Sequence, residues 1–313
     1  MPTRPEIRPR PSACLNCGSI QVDAYCARCG QRNMDLRIPA RDLVLDAVED
    51  GLSLDSRMAR TVVPFLFRPG FLTVEWTGGR RARFSSPLRL YLLASFAFFL
   101  LASLDAGSSP LRFDVTPDEP ALGQAQEELD AAGIPVDVAA AAKEAPHVPA
   151  GTEEQHQKLR AQGWLGLTID DRWQALARMP REEFLSRVNA AFREWIPRVM
   201  FFLVPAAVGI LALLWRRRWL SEHVVLSLHL HAFAFTMFTV LLALRFLPWQ
   251  GPRAVLGPVL ALSLPLYAVL AMRRVYGQAW WWTVPKAMAA GLLYLVALAI
   301  GLVGVAGLAL YFA

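Results

Sequence analysis

Beyond residue 29 this chain has no cysteine, and beyond residue 196 it has a single acidic residue, Glu222. The first absence excludes a disulfide framework spread along the fold, because all four cysteines fall within residues 14–29. The second excludes an ordinary soluble domain over the last third, since a solvated surface mixes charges of both signs. The first forty residues hold no long apolar run, so no cleavable signal peptide is read there and the N-terminus is expected to remain untranslocated. There is also no Walker loop, no G-x-S-x-G elbow, no GxGxxG after a strand pattern, no HExxH or HxxxH pair, and no acidic pair placed for glycoside chemistry. These gaps argue against the commonest soluble enzyme classes and leave a membrane enzyme open.

What is present is apolar. The 313 residues are 55% hydrophobic, with a mean hydropathy of +0.33, and the apolar residues concentrate toward the C-terminus. Residues 197–313 carry nine Lys and Arg against Glu222 alone, while residues 105–196 carry 9 basic and 16 acidic residues, and residues 1–104 carry 14 and 9. A spanning helix needs about 20 mostly apolar residues, because lipid cannot satisfy exposed backbone groups. Five segments qualify, near 87–104, 197–215, 224–247, 254–272 and 285–312.

Orientation follows from the basic loops. Arg80, Arg81, Arg83 and Arg89 precede or open the first span; Arg216, Arg217 and Arg218 follow the second; Arg273, Arg274 and Lys286 separate the fourth from the fifth. Five spans with the N-terminus inside put all three clusters on one face, with Arg245 and Arg253 as mild exceptions. The expected protein is a multi-pass one of the bacterial inner membrane, with a cytoplasmic N-terminus and a periplasmic C-terminus. Trp215, Trp219, Trp249 and the run 280–282 fall at span ends, where an indole keeps its ring among headgroups and its N–H wet. The insert 105–196 then faces the periplasm. It is Ala-, Pro- and acid-rich to about residue 151 and is expected to be loosely ordered. From 170 to 195, Trp173, Leu176, Ala177, Phe184, Leu185, Val188, Ala191, Phe192 and Trp195 recur at helical spacing, with Met179-Pro180 dividing two amphipathic helices.

The chemistry-bearing motif is at the other end. Cys14-Leu-Asn-Cys17-Gly18 and Cys26-Ala-Arg-Cys29-Gly30 are two CxxCG turns. Thiolates three residues apart grip one tetrahedral ion, and the glycine after each pair permits a tight turn that aims backbone N–H groups at sulfur. In a cytoplasmic segment, zinc is favoured over a disulfide. A redox CxxC, which would want a βαβ context, and rubredoxin-like iron are the competing readings. A closed four-thiolate site leaves no open coordination position, so Zn2+ here is structural. Such a ribbon offers a surface to a cytoplasmic protein partner. Positive-inside bias accounts for Arg28, Arg32, Arg37 and Arg41 better than nucleic acid does.

After the ribbon, residues 41–54 read as an amphipathic helix with Leu43, Val44, Ala47, Val48 and Leu52 on one face, and a second helix follows near 57–67. Then come Arg68-Pro69-Gly70, the turn Trp76-Thr-Gly78-Gly79-Arg80-Arg81-Ala-Arg83-Phe84, and Ser86-Pro87-Leu-Arg-Leu-Tyr91 at the mouth of the first span. This order, with Gln31 completing a CGQ, resembles an uncharacterised bacterial family of zinc-ribbon membrane proteins catalogued only as a domain of unknown function. Glu222-His223…His229-Leu-His231-Ala-Phe233 is similar to that family's EH…HxHxF segment, and Arg274-Val-Tyr276-Gly277-Gln278 to its RxYG(Q/N) turn. The resemblance covers all but the insert and implies an architecture without an activity.

Glu222 and His229 stand seven apart and share a helix face, while His223, Ser227 and His231 run along a neighbouring one. The two stripes meeting inside the bundle would accept a metal or relay a proton. The plainer reading pairs Glu222 and His223 with Arg216–Arg218 at the boundary and has His229 and His231 bond to neighbouring helices. Pro258 and Pro265 break one face of the fourth span, and Pro205 kinks the second. Ala297, Gly301 and Gly304 make a small-residue face for close helix packing.

The sequence therefore reads as an all-α integral membrane helical bundle of about five spans with a small N-terminal zinc ribbon. Its parts are the ribbon (1–36), cytoplasmic amphipathic helices and a juxtamembrane basic segment (37–86), a first span (87–104), the periplasmic insert (105–196) and a four-span bundle (197–313). The expected function is a non-enzymatic assembly or transport-related scaffold embedded in the lipid bilayer, with the ribbon docking a cytoplasmic partner. The alternative is a metal-dependent membrane enzyme or proton-coupled carrier using Glu222, His223, His229 and His231, with Tyr276 and Lys286 near its mouth.

Overall fold

The computed structural model describes residues 13–20, 25–32, 56–104, 126–131, 135, 137, 152–161, 163, 170–171, 174–246 and 250–312. The helix read over 41–54, most of 105–151, Arg37, Trp173 and Trp249 lie outside the described residues. Two compact units emerge: Met1–Gly107 with Phe201–Leu298, and Ser108–Met200 with Ala299–Ala313.

Among the described residues, five helices are long and apolar enough to cross a membrane. They are α3 (Pro87–Leu104), α5 (Arg181–Leu214), α6 (Leu220–Ala243, continued by a 3-10 turn Leu244–Phe246), α7 (Gln250–Tyr276) and α8 (Trp280–Phe312). Before them come α1 (Ser56–Phe67) and the short α2 (Phe71–Thr77), and in the insert α4 (Glu153–Arg160). Among the described residues the only extended pairing is two isolated bridges in the ribbon, Ala13 with Ile20 and Tyr25 with Arg32. The fold is an all-α bundle, as the apolar run lengths require.

In the first unit α6 is the central element. Over half of its spanning window, 56%, is buried, against 11 to 22% for the other four, and it packs on α3, α7 and α2. Aromatic rings fill these seams. Phe235 meets Tyr91, Phe98 and Phe99 of α3 with centroids 5.5 to 5.9 Å apart, and Phe233 stacks on Tyr267 of α7 at 3.7 Å. Phe65 of α1 closes edge-on over both rings. Such offset and T-shaped pairs add roughly 0.5–1.5 kcal/mol each beyond area burial.

Three boundaries differ from the sequence reading. The insert's second amphipathic helix and the second span are one unbroken helix, α5, which begins after the Met179-Pro180 break and runs on through residue 197. Helix α6 starts at Leu220, four residues before the span read near 224–247, and its first turn holds Glu222 and His223. Helix α8 starts at Trp280 and carries Pro285 within it; a proline early in a helix forfeits one hydrogen bond without ending it. The sequence reading also has no counterpart for α2, where it sees only turn signals.

In the second unit, α4 opens with a capping box: Thr152 accepts from the Gln155 backbone, and the Gln155 side chain accepts from the Thr152 backbone. Asp170 is fully buried between His156 and Arg160, accepting from the Arg160 guanidinium at 2.6 Å and bonding the His156 ring. These two partners, the imidazole first, hold its carboxyl below the usual range. A Cβ on Gly301 would stand 2.8 Å from Val199 Cγ1, so α5 and α8 pass closely where the small-residue face was read.

Candidate functional site

The ribbon is built from two near-identical turns. In each, the residue after the second cysteine is glycine at positive φ, Gly18 at 73° and Gly30 at 70°, a conformation costly for any residue with a Cβ. That twist closes matching hydrogen bonds, Gly18 N–H to Cys14 O and Gly30 N–H to Cys26 O, both 2.8 Å. It also aims backbone amides at sulfur: those of Cys17 and Asn16 stabilise the Cys14 thiolate, and those of Cys29 and Arg28 the Cys26 thiolate. The turns face each other with Cys14 and Cys29 Sγ 3.6 Å apart, Cys17 and Cys26 Sγ 3.6 Å apart, and all four sulfurs within 4.8 Å of one another. Among the described residues this is the group of His, Cys, Asp or Glu side chains placed to hold a metal ion.

The residue following each glycine breaks the symmetry. Ser19 turns inward, its Oγ 3.0 Å from Cys17 Sγ and 3.2 Å from Cys26 Sγ. Its hydroxyl, with one proton to share between the two sulfurs, is the leading cause that lowers both thiols, Cys26 to about 6, while burial pushes Cys14 up to about 11. Gln31 turns outward. Its Nε2 donates to Gly79 O at 2.7 Å, and its Oε1 accepts from the backbone N–H groups of Arg81 (3.0 Å) and Ala82 (3.1 Å). One side chain thus clamps the ribbon to the turn before the first span. The amide is suited to this because it donates and accepts at once. The turn itself is braced by a bidentate pair, Arg80 to Glu75 at 2.7 Å on both oxygens, and by Arg81 lying over the Trp76 ring at 4.6 Å.

The polar residues of α6 do not converge on one point in the structure. Glu222 lies near Arg218, with 3.7 Å between charged atoms. His223 Nδ1 meets Tyr276 OH at 2.7 Å. His229 Nδ1 meets Thr73 Oγ1 of α2 at 2.8 Å. His231 Nδ1 donates to Ser227 O at 2.8 Å, which in the neutral ring leaves Nε2 to accept from Tyr294 OH of α8 at 3.0 Å. Each imidazole ties α6 to a different neighbour: α7, α2 and α8. Buried polar groups in lipid need such partners.

Sequence reasoning missed Ser19, Thr73 and Tyr294. A serine directly after CxxCG is a local signal that was there to use; Thr73 and Tyr294 carry none, since their partners lie 156 and 63 residues away. Trp215 is also reassigned. It is 4% exposed, stacks on Tyr276 at 4.4 Å and donates from Nε1 to Gln278 Oε1 at 2.9 Å, whereas Trp219 and Trp280–282 are exposed as anchors should be.

The three basic clusters meet at one end of the first unit. Arg218 donates to Tyr276 O at 2.6 Å, Arg274 donates to Pro69 O at 2.9 Å, and Gln31 holds the Arg80–Arg81 turn. No curated protein and no solved structure matches this chain. Residues 55–99, which hold Arg68-Pro-Gly70, the glycine-arginine turn and most of the first span, match the model of a family described as "Protein of unknown function (DUF3667)".

Proposed function

We propose that this chain is a non-enzymatic membrane scaffold, for assembly or transport, whose ribbon holds a structural Zn2+ and docks a cytoplasmic protein partner. The observation that carries this reading is the Gln31 clamp: it fixes the ribbon on the juxtamembrane turn while Ile20 (82% exposed) and Tyr25 (59%) stay uncovered. Exposed apolar side chains on a small rigid module are the raw material of a protein interface. Zinc is supported by the donor set: two sulfur separations of 3.6 Å lie close to the about 3.8 Å edge of a tetrahedron with Zn–S bonds of about 2.3 Å. Four thiolates with amide and hydroxyl donors behind them leave no position for a substrate. The bacterial inner membrane, with the ribbon inside, follows from placing the basic end in the cytoplasm.

Elemental mass spectrometry of the detergent-purified protein tests the metal assignment. One zinc per chain, lost when residues 1–36 are removed, is the expected result. An ion retained by the truncated bundle would favour the alternative of a metal-dependent enzyme or proton-coupled carrier built on Glu222, His223, His229 and His231. For docking, a photo-crosslinking residue at Tyr25 is expected to give a defined protein adduct in wild type that disappears in Cys26→Ser; no adduct would sink the partner. Gln31→Ala should keep its zinc, yet amide exchange at residues 79–82 should speed up by about ten-fold or more, as three hydrogen bonds are lost.

A further inference from the structure

Where α5 ends at Leu214 and α8 begins at Trp280, a cavity of about 370 Å³ opens beside Trp215 and Gln278, and its wall carries four cations, Arg216, Arg217, Arg218 and Lys286, with no acidic residue. Its volume is in the range of small-molecule sites, about 300–1,000 Å³. The wall is ordered by contacts already described: Trp215 is fixed by its stack on Tyr276 and its bond to Gln278, and Arg218 by its bond to Tyr276 O. Arg216 Nε turns back to Leu213 O at 3.2 Å, and Glu222 offsets part of the Arg218 charge from outside the wall. Arg217 makes no hydrogen bond or ion pair among the described residues, and Lys286 Nζ lies 5.3 Å from the Trp215 ring centroid.

Positive-inside bias accounts for arginines in a loop. Lys286, counted above with the basic residues of that face, differs from the loop arginines: it sits six residues into an apolar helix, about 9 Å along its axis, and lines the cavity. A cation placed there costs free energy unless an anion or water meets it. We propose that this cavity binds the phosphodiester headgroup of an acidic phospholipid. The chemistry it selects is a phosphodiester monoanion without an attached cation, held by guanidinium and ammonium donors; the choline of a zwitterionic lipid would meet four like charges. A lipid is the source because the cavity lies where candidate spans begin and end, and its lining includes Leu213, 52% exposed, to meet an acyl chain; Trp219 and Trp280–282, at the starts of α6 and α8, are exposed as residues of a headgroup layer are. The inference goes beyond the scaffold reading and requires only that the five helices cross a bilayer.

The test uses full-length, delipidated protein in neutral detergent and native mass spectrometry. Phosphatidylglycerol and phosphatidylcholine of identical acyl chains are the probes, with inorganic phosphate in a third arm. Wild type is expected to retain phosphatidylglycerol about ten-fold or more over phosphatidylcholine. Arg217→Gln/Lys286→Gln should lose that preference, while Lys286→Arg and the distant Arg245→Gln should keep it, all with wild-type helicity and metal content. Equal retention of the two lipids, or an unchanged preference in the double variant, would overturn the site. Inorganic phosphate that binds alone and displaces phosphatidylglycerol would overturn the lipid as ligand and leave a soluble anion in its place.

Discussion

At the scale of single residues, two glycines with the same backbone angle separate strain from close packing. Gly18 and Gly70 both have φ of 73°, but a Cβ on Gly18 would meet nothing within 4 Å, whereas one on Gly70 would stand 2.8 Å from the Ala271 carbonyl oxygen. Gly70→Ala therefore adds a steric conflict with the backbone of α7 to the conformational cost and should lower stability by about 2–4 kcal/mol. Gly18→Ala should cost about 1 kcal/mol, confined to the ribbon. Thermal unfolding in detergent checks the first, and competition with a zinc chelator the second. Equal losses in the two variants would mean that the approach of α2 to α7 is not what Gly70 serves. The importance of the Arg-Pro-Gly motif was legible in the sequence; that Ala271 is what it accommodates was not, because 201 residues of chain separate them.

At the scale of elements, α2 is a seven-residue helix that stands only by tertiary contact, since isolated helices so short do not persist in water. Thr73 binds it to the centre of α6 through His229. Thr73→Val keeps the shape and strips the partner from a buried imidazole, which should cost about 1–3 kcal/mol. The double variant Thr73→Val/His229→Leu should recover part of that loss, measured as the thermal midpoint of the bundle. In the second unit, the docking of Asp170 on α4 depends on pH. Its carboxyl is depressed when folded, so the stabilisation is full above the ordinary carboxylate value of about 3.9 and is lost as pH falls through the lower folded value. Protection of the amides over residues 153–160, relative to the intrinsic exchange rate at each pH, should fall in that acidic window in wild type, and Asp170→Asn should show the lower protection at neutral pH as well. The contrast between the ribbon and α2 explains what could be read in advance. The ribbon's ligands are local, spaced by its own turns, so residues 14–29 disclose it. The long apolar runs likewise disclose α3, α5, α6, α7 and α8. Helix α2 lies between Gly70 and Gly78 amid turn residues, its reasons to be helical lie on α6 and α7, and no local periodicity records them.

At the scale of the whole molecule, the odd number of candidate spans and the gathering of the basic clusters at one end make a single topological statement. Reporters inserted after residues 219 and 278 should share a side, and reporters after residue 248 and at the C-terminus should share the opposite one; any other pairing would remove a span from the bundle. The same contacts set an order in time. The ribbon has all its ligands once residue 29 is made, and the turn that Gln31 grips follows some fifty residues later. The helices behind that turn, however, are secured by Phe65 O to Tyr267, Pro69 O to Arg274 and Thr73 to His229, across 202, 205 and 156 residues. A growing chain therefore carries a head whose four cysteines are all in place on an unfastened neck until α6 and α7 have been made. During that interval α1 and α2 expose the faces that will later be buried, so this is the stage of biogenesis at which a quality-control protease or chaperone would find its target.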